Sequence, residues 1–541
     1  MATVYLDLNA STNGSGNNSS DPFNSGSSAE AGAGAGGTIV LVANTIQNGN
    51  DWQNTYFDFD ADVFIKAETR RTVTLQDGSV SSYVVRYSDP VSTRVSLQGV
   101  IVDPVIVSKA SAIRYDDVPA TGAFPKYLLQ DCQIKTGISY GVDYRTRSGS
   151  LQIINLDVVG DPTGPALAAT SNISAKGNTI IDVQALNFNY SSEVGSTNLV
   201  SIQQVSSPAN DLDVSCKALN GVLNFANNAS SIVFRVDANG TVNIANSNVT
   251  LNGDEATSVT GFFIQGKGAN TASDNFETTS ANITNNKIKF NIPAGYGISF
   301  GQSGADSHIT SGSVSGNTIT GKYYASATPH NILMGRGTAG KCKGNLSQDG
   351  YVGILASICD TGTEIIGNTI LDCYGPNIYC KGTVEVSVKD NVCIQTGKYT
   401  QRDRGILAVA RQDLPGNVIV NTAAATIQEN LIIVKDLSKI HSLAYIEANQ
   451  TASFVRNTYI VDESQYNETA KYFTYKNGQG GAPNNTITEW NAQSEVTNEV
   501  LLPLPASEID SLIENLKTTT GSTFKIIDSL SDDTAFAAIF D

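Results

Sequence analysis

Along most of this 541-residue chain, short runs in which β-branched and aromatic residues alternate with polar ones are separated by Gly and Asn, as in GVLNFANNASSIVFRV and GTVNIANSNVTLNG. Alternation with a period of two turns one face of each run inward and predicts half-buried strands. No helical apolar spacing accompanies it. A tag also recurs: Asn followed one or two positions later by Ile, Val or Leu, often preceded by Gly. Its clearest copies are at Asn155, Asn178, Asn286, Asn317, Asn345, Asn368, Asn391, Asn430, Asn457 and Asn485. The interval is 23 from Asn155 to Asn178, 28 from Asn317 to Asn345, 23 to Asn368 and 23 to Asn391, with 27 and 28 from Asn430 through Asn457 to Asn485. Periods of about 20 to 30 residues mark a solenoid. Strands without helices select an all-β parallel β-helix, in which coils stack about 4.8 Å apart and equivalent residues form ladders. Each corner Asn is expected to adopt the left-handed conformation and to hydrogen-bond to its counterpart in the next coil.

The tag divides the chain. Residues 1–50 read as an N-terminal cap and first coil, and 51–125 as early coils with a hairpin insertion turning at Asp77 and Gly78. Residues 126–495 read as the main β-helix, whose repeat stops after Trp490. Residues 496–541 read as a small α/β module that caps the last coil or joins subunits. There Ile509, Leu512, Ile513 and Leu516 share one helical face, Ser507 and Asp510 suit a capping box, and short strands follow from Thr523. The interval from Asn391 to Asn430 is 39. Its extra residues include Lys398, Tyr399, Arg402, Asp403 and Arg404, and long solenoid corners are where binding sites are built.

Composition narrows the function classes. A net charge of −17 and a pI of about 4.6 argue against nucleic acid and anionic membranes as partners. Arg336, Lys341 and Lys343 near His330 form a local basic exception, which reads first as a solvated corner of the coil. No export signal opens the chain, and no segment has the length to insert in a membrane. Seven cysteines without a C-x-x-C pair read as reduced core residues, five of them (Cys342, Cys359, Cys373, Cys380, Cys393) inside the best-ordered repeats. The three histidines, His308, His330 and His441, fit no metal-binding frame, and no metal or cofactor is expected.

Subtracting the 23-residue period aligns Asp349-Gly350-Tyr351 with Asp372-Cys373-Tyr374. Stacked carboxylates about 5 Å apart would suit a retaining glycosidase, with repulsion raising one pKa. An Asp at a corner also simply caps a turn. Asp360 and Glu364 are further candidate acids, and Asp306, Asp403 and Glu489 compete with them. Tyr351, Tyr374, Tyr399, Arg402, Arg404 and Trp490 are candidate glycan contacts. Two G-x-S-x-G matches, at Ser139 and Ser299, lack the helix a nucleophile elbow needs.

The opening strand TVYLDL, the polar loop carrying Asp7, Asn13, Gly14, Asp21, Pro22 and Phe23, a small-residue helix from Ser25 to Gly37 and the strand TIVLVAN resemble the start of right-handed parallel β-helix proteins of the pectate-lyase-like superfamily. Its polygalacturonase signatures, N-T-D and G-H-G, are absent. The whole pattern is similar to bacteriophage tailspikes and tail fibres. That resemblance implies a homotrimeric virion protein that binds bacterial surface polysaccharide and in many cases cleaves it, hydrolysis before lyase chemistry, attached to other tail or baseplate proteins. Unlike many tailspikes, the chain starts its β-helix almost at Met1. A non-catalytic structural or receptor-binding virion protein and a free polysaccharide lyase or glycoside hydrolase stand as alternatives.

Overall fold

The structure is a computed structural model. It describes residues 2–48, 57–58, 63–76, 83–87, 94–105, 111–116, 125–135, 140–145, 149–160, 167–171, 179–189, 198–204, 212–237, 239–254, 257–266, 277–278, 280–301, 308–309, 311–414, 418–478 and 480–518. The chain folds as a parallel β-helix in two units, residues 1–259 with 269–279, and residues 260–268 with 280–541. Among the described residues, successive coils contribute strands to three parallel sheets, termed first, second and third in the order in which the chain visits them.

In the N-terminal unit, Thr3–Leu6 pairs with Thr38–Leu41 of the first sheet, and helix Gly26–Ala33, capped by Ser25, lies between them in sequence. This is the strand, loop, helix, strand order read from the sequence. Ile39, Ile65, Leu97, Leu129, Ile153, Val183, Cys216 and Ile244 then occupy one register position in successive coils. All are buried. Such columns exist because period-two alternation sends every second side chain inward, where burying a Leu, Ile or Val contributes about 1.5–3 kcal/mol. Val73–Gln76 and Tyr83–Tyr87 pair in parallel with other coils, in the second and third sheets respectively. They are consecutive sides of one coil and not partners in a hairpin. The expected turn at Asp77 and Gly78 lies outside the described residues, as do Asn178, Ser139, Asp306 and everything from Thr523 onward.

In the C-terminal unit the interior column of the first sheet is Ile283, Val314, Cys342, Ile365, Val388, Ile427, Phe454 and Val496. At the corner into the second sheet stand Asn286, Asn317, Asn345, Asn368, Asn391, Asn430 and Asn457, all buried. The oxygen of each later Asn accepts both the backbone and the side-chain N–H of the one before. Asn345, for instance, donates to Asn368 Oδ1 from N at 3.0 Å and from Nδ2 at 2.9 Å. The left-handed turn belongs not to these Asn but to the residues just before them, Asn285, Gly316, Gly344, Gly367, Asp390, Glu429 and Arg456, with φ between 53° and 66°. The preceding residue absorbs the bend, and the amide is thereby turned inward. Asn155 differs: it takes the left-handed conformation itself (φ 57°), and its Nδ2 bonds Asp131 at 2.8 Å. The next residue there, Leu156, is buried and apolar.

Asn485 is not a rung. It bridges antiparallel to Phe473, and the coil continues past Trp490 through Val496–Thr497 and Val500–Leu504, which pair with Ser453–Val455 and Thr458–Asp462. Glu499 holds the rung position, so this coil lacks the tag. Helix Ala506–Thr518 then lies on the outer face of the second sheet, where Ile509, Leu512, Ile513 and Leu516 cover Val392, Ile394, Leu431, Ile433 and Ile460. The helix begins at Ala506, so Ser507 sits inside its first turn. A capping box does occur at Thr486 and Glu489 of the short helix Ile487–Asn491, which gives Glu489 a structural task. All seven cysteines are free and buried. No helix among the described residues is long and apolar enough to cross a membrane.

Candidate functional site

In the C-terminal unit the chain leaves the second sheet for the third through long corners, and one of them, residues 396–404, reaches back over neighbouring coils. Its course is fixed locally. Gly397 has φ 85°, and a Cβ there would meet Asp436 Cβ at 2.8 Å, so the position requires glycine. The buried Gln401 pins the segment by donating Nε2 to the Gly375 carbonyl at 3.0 Å and accepting the His441 N–H at 2.9 Å. Lys398 Nζ then reaches Asp349 at 2.7 Å, and Arg402 Nη1 reaches the Ala327 carbonyl at 2.8 Å.

Beneath and beside this segment, aromatic rings collect on the outer side of the third sheet. Tyr351, Tyr374, Tyr379 and Tyr445 pack with Leu333 and Leu355, and Tyr296 and Tyr399 lie against them. Tyr351 and Tyr374 are 5.7 Å apart and tilted by 56°. Tyr323 and Tyr399 stack at 4.9 Å and 8°, and Tyr323 also meets Tyr374 edge-on at 4.9 Å. Tyr374 is fully buried, whereas Tyr323 is 42% exposed. The predicted pair of sugar-stacking rings is therefore largely internal. The open surface is made by Tyr323, Tyr399 and Arg402.

Charge threads through the rings. Tyr351 Oη donates to Asp403 at 2.7 Å, and Arg404 Nη1 pairs with Asp403 at 2.8 Å. The Arg402 guanidinium lies 5.4 Å from the centre of Tyr351, and that of Arg404 5.0 Å from Tyr379. Such contacts stabilise by about 0.5–2 kcal/mol, more as water is excluded. Burial, then the hydrogen bond to Asp403, pushes the Tyr351 hydroxyl well above the usual phenol range, so Tyr351 acts as a neutral donor. Burial, with the nearby Lys381 charge, pulls His330 down to about 4, so its imidazole is neutral at pH 7.

The paired acids sit at successive levels of one corner, where Asp349 N–H donates to Leu371 O and Asp372 N–H to Ile394 O, both residues with φ above zero. Their carboxylates have different partners. Asp349 faces Lys398, while Asp372 accepts from Thr396 N at 2.7 Å and from Thr396 Oγ1. Asp372 lines a crevice of about 500 Å³ with Thr396, Lys435, Asp510 and Ile513, beside the C-terminal helix. Burial raises its pKa against the pull of the Thr396 hydrogen bonds, and the Asp349 charge adds to the rise.

The remaining candidates lie elsewhere. Glu364 is on the first sheet, ion-paired with Lys341 at 2.7 Å, which places Lys341 away from the aromatic face. Asp360 is at the adjoining corner, its carbonyl accepting from Thr363. Trp490 has no exposed surface and stacks on Phe473 at 5.1 Å, which makes it a core residue of the C-terminal coil and not a surface platform. Ser299 is buried on a strand and bonds the Gly301 carbonyl. Tyr323, Tyr379 and Lys381 were not singled out from sequence. The signal for Tyr323 was present in the long interval from Asn317 to Asn345, whose extra residues form the corner that carries it. Comparison with protein-family models, curated proteins and solved structures returns no match to this chain.

Proposed function

We propose that this protein binds an extended bacterial surface polysaccharide along the outer side of the third sheet of its C-terminal unit, in the manner of a bacteriophage tailspike or tail fibre. The observation that carries the reading is the exposed Tyr323 ring, stacked on Tyr399 beside the exposed Arg402 and backed by the buried Tyr351 and Tyr374. Flat rings held rigid by neighbours present apolar area to the C–H faces of sugars at little entropic cost, and an adjacent guanidinium supplies donors for hydroxyls. The virion setting, homotrimeric assembly and attachment to tail proteins come from the architectural resemblance alone.

The test is direct. Purified protein and its Tyr323→Ala variant are titrated with surface polysaccharides from a bacterial panel. Binding by the parent, weakened at least about tenfold in the variant, supports the reading. A chain that binds none of the panel overturns it.

Cleavage is a second reading. It is supported by Asp372 lying one level from Asp349 with its carboxyl raised by burial, the direction a general acid requires. Reducing ends and unsaturated products are followed together. Reducing ends alone indicate hydrolysis, unsaturation a lyase, and neither a binding protein; loss of hydrolysis in Asp349 and Asp372 variants would assign it to this pair.

A further inference from the structure

The aromatic face carries cations that its own carboxylates do not fully occupy. Lys381, at the end of strand Ile378–Lys381, is half-buried with its ammonium 5.8 Å from the centre of Tyr379, the ring that also carries the Arg404 guanidinium. Among the described residues, no carboxylate lies within ion-pairing distance of Lys381. The nearby acids are engaged by others: Asp403 by Arg404 and Tyr351, and both Asp413 and Glu447 by Arg411, at 3.2 and 3.5 Å. Arg404 Nε and the Tyr379 hydroxyl are buried and lack a hydrogen-bond partner. Arg402 likewise pairs with no carboxylate among the described residues: its guanidinium lies over Tyr351 and its Nη1 donates to the Ala327 carbonyl. Two cations crowded onto one ring repel each other, and burial together with the Arg404 charge depresses the Lys381 pKa. Such crowding is relieved by an anion.

We infer that Lys381 and Arg404 form a subsite for the carboxylate of an acidic sugar residue in the bound polysaccharide. This rests on the proposed function and specifies its ligand. A planar guanidinium beside an ammonium suits a carboxylate, and the surrounding rings exclude water and strengthen the pairing.

Uronic-acid-containing polysaccharides from the bacterial panel are the probes, each used native and after reduction of its carboxyl groups to alcohols, with neutral surface glycans as the third arm. The parent should bind the native polymers, lose about tenfold or more on carboxyl reduction, and weaken as salt rises. Lys381→Met, which keeps the stem over Tyr379, should lose about tenfold for native polymer and change little for reduced polymer, with an unaltered circular dichroism spectrum. Lys381→Arg should restore binding. Equal binding of native and reduced polymer, or an equal loss for both in Lys381→Met, overturns the subsite and leaves the polysaccharide reading intact. So does binding confined to neutral or phosphorylated glycans. Failure to bind any member of the panel overturns both.

Discussion

Glu499 accepts, on a single carboxylate oxygen, both the backbone and the side-chain N–H of Asn457, each at 2.9 Å, and its other oxygen accepts the Tyr459 hydroxyl at 2.7 Å. A carboxyl group has no N–H of its own to satisfy, so it closes a run of amide donors without leaving an orphaned amide. Burial pushes its pKa up to about 7 from 4.5. The folded chain thus holds this proton more tightly than the unfolded one. Its contribution is complete below pH 4.5 and is lost as pH climbs to 7, a swing of about 3 kcal/mol. Glu499→Gln should flatten this part of the pH dependence of unfolding. The check is thermal unfolding of both proteins at pH 5 and pH 8, where an identical loss in the two would refute the assignment.

The Asn rungs should be unequal to look-alikes outside the ladder. Asn368→Ala strips Asn345 of the acceptor for two buried donors and should cost about 2–4 kcal/mol. Asn485→Ala, in the same tag but off the ladder, should cost less than about 1 kcal/mol. Denaturant midpoints of the two variants decide the matter.

On the proposed function, exposure should separate binding from packing among the tyrosines. Tyr323→Ala should weaken polysaccharide binding about tenfold with little change in melting temperature, whereas the buried Tyr374→Ala should destabilise by about 3 kcal/mol or more. Isothermal titration set beside differential scanning calorimetry distinguishes the two effects. A Tyr323 variant that melts early and binds normally would reverse the roles.

The C-terminal helix packs on an apolar stripe of the second sheet. Ile513→Asp places a charge against Ile433 and Ile460 and should release the helix, since an unpaired buried charge is not tolerated. Dye binding to exposed apolar surface should rise, and proteolysis should begin between Pro505 and Thr518. An unchanged proteolytic pattern would show that the helix contributes little to holding the coils.

Most of the fold was legible because its two signals are local. Alternation marked the strands, and the 23-residue spacing of Asn345, Asn368 and Asn391 set the coils in register. The errors arose where the same letters do different work. Asn155 bends the chain while Asn368 sits inside it, and Asn485 carries the tag without the rung. Glu499 occupies the rung without the tag, so the last coil passed unread. At the site, Tyr399, Arg402 and Arg404 could be gathered because they fall on a long corner, and Tyr351 because the 23-residue period aligns it with Tyr374. Tyr323, Tyr379 and Lys381 could not, since only the stacking of three coils brings them to one face. Trp490 was misplaced because an aromatic residue next to a Glu reads alike on a surface or in a core.

The amide run of the C-terminal unit also bears on how such a chain changes length. Every internal Asn both gives and receives, so a coil bounded by two of them is chemically indifferent to its neighbours. Segments of 23, 28 and 39 residues are accommodated side by side, differing only in what protrudes at the corners. Gene duplication of one such segment would insert a turn without disturbing those on either side, and new binding loops could arise on it at no cost to the interior. The two ends of the run differ from its interior: within it Asn286 only gives and Glu499 only receives, so an inserted turn of this kind belongs between them.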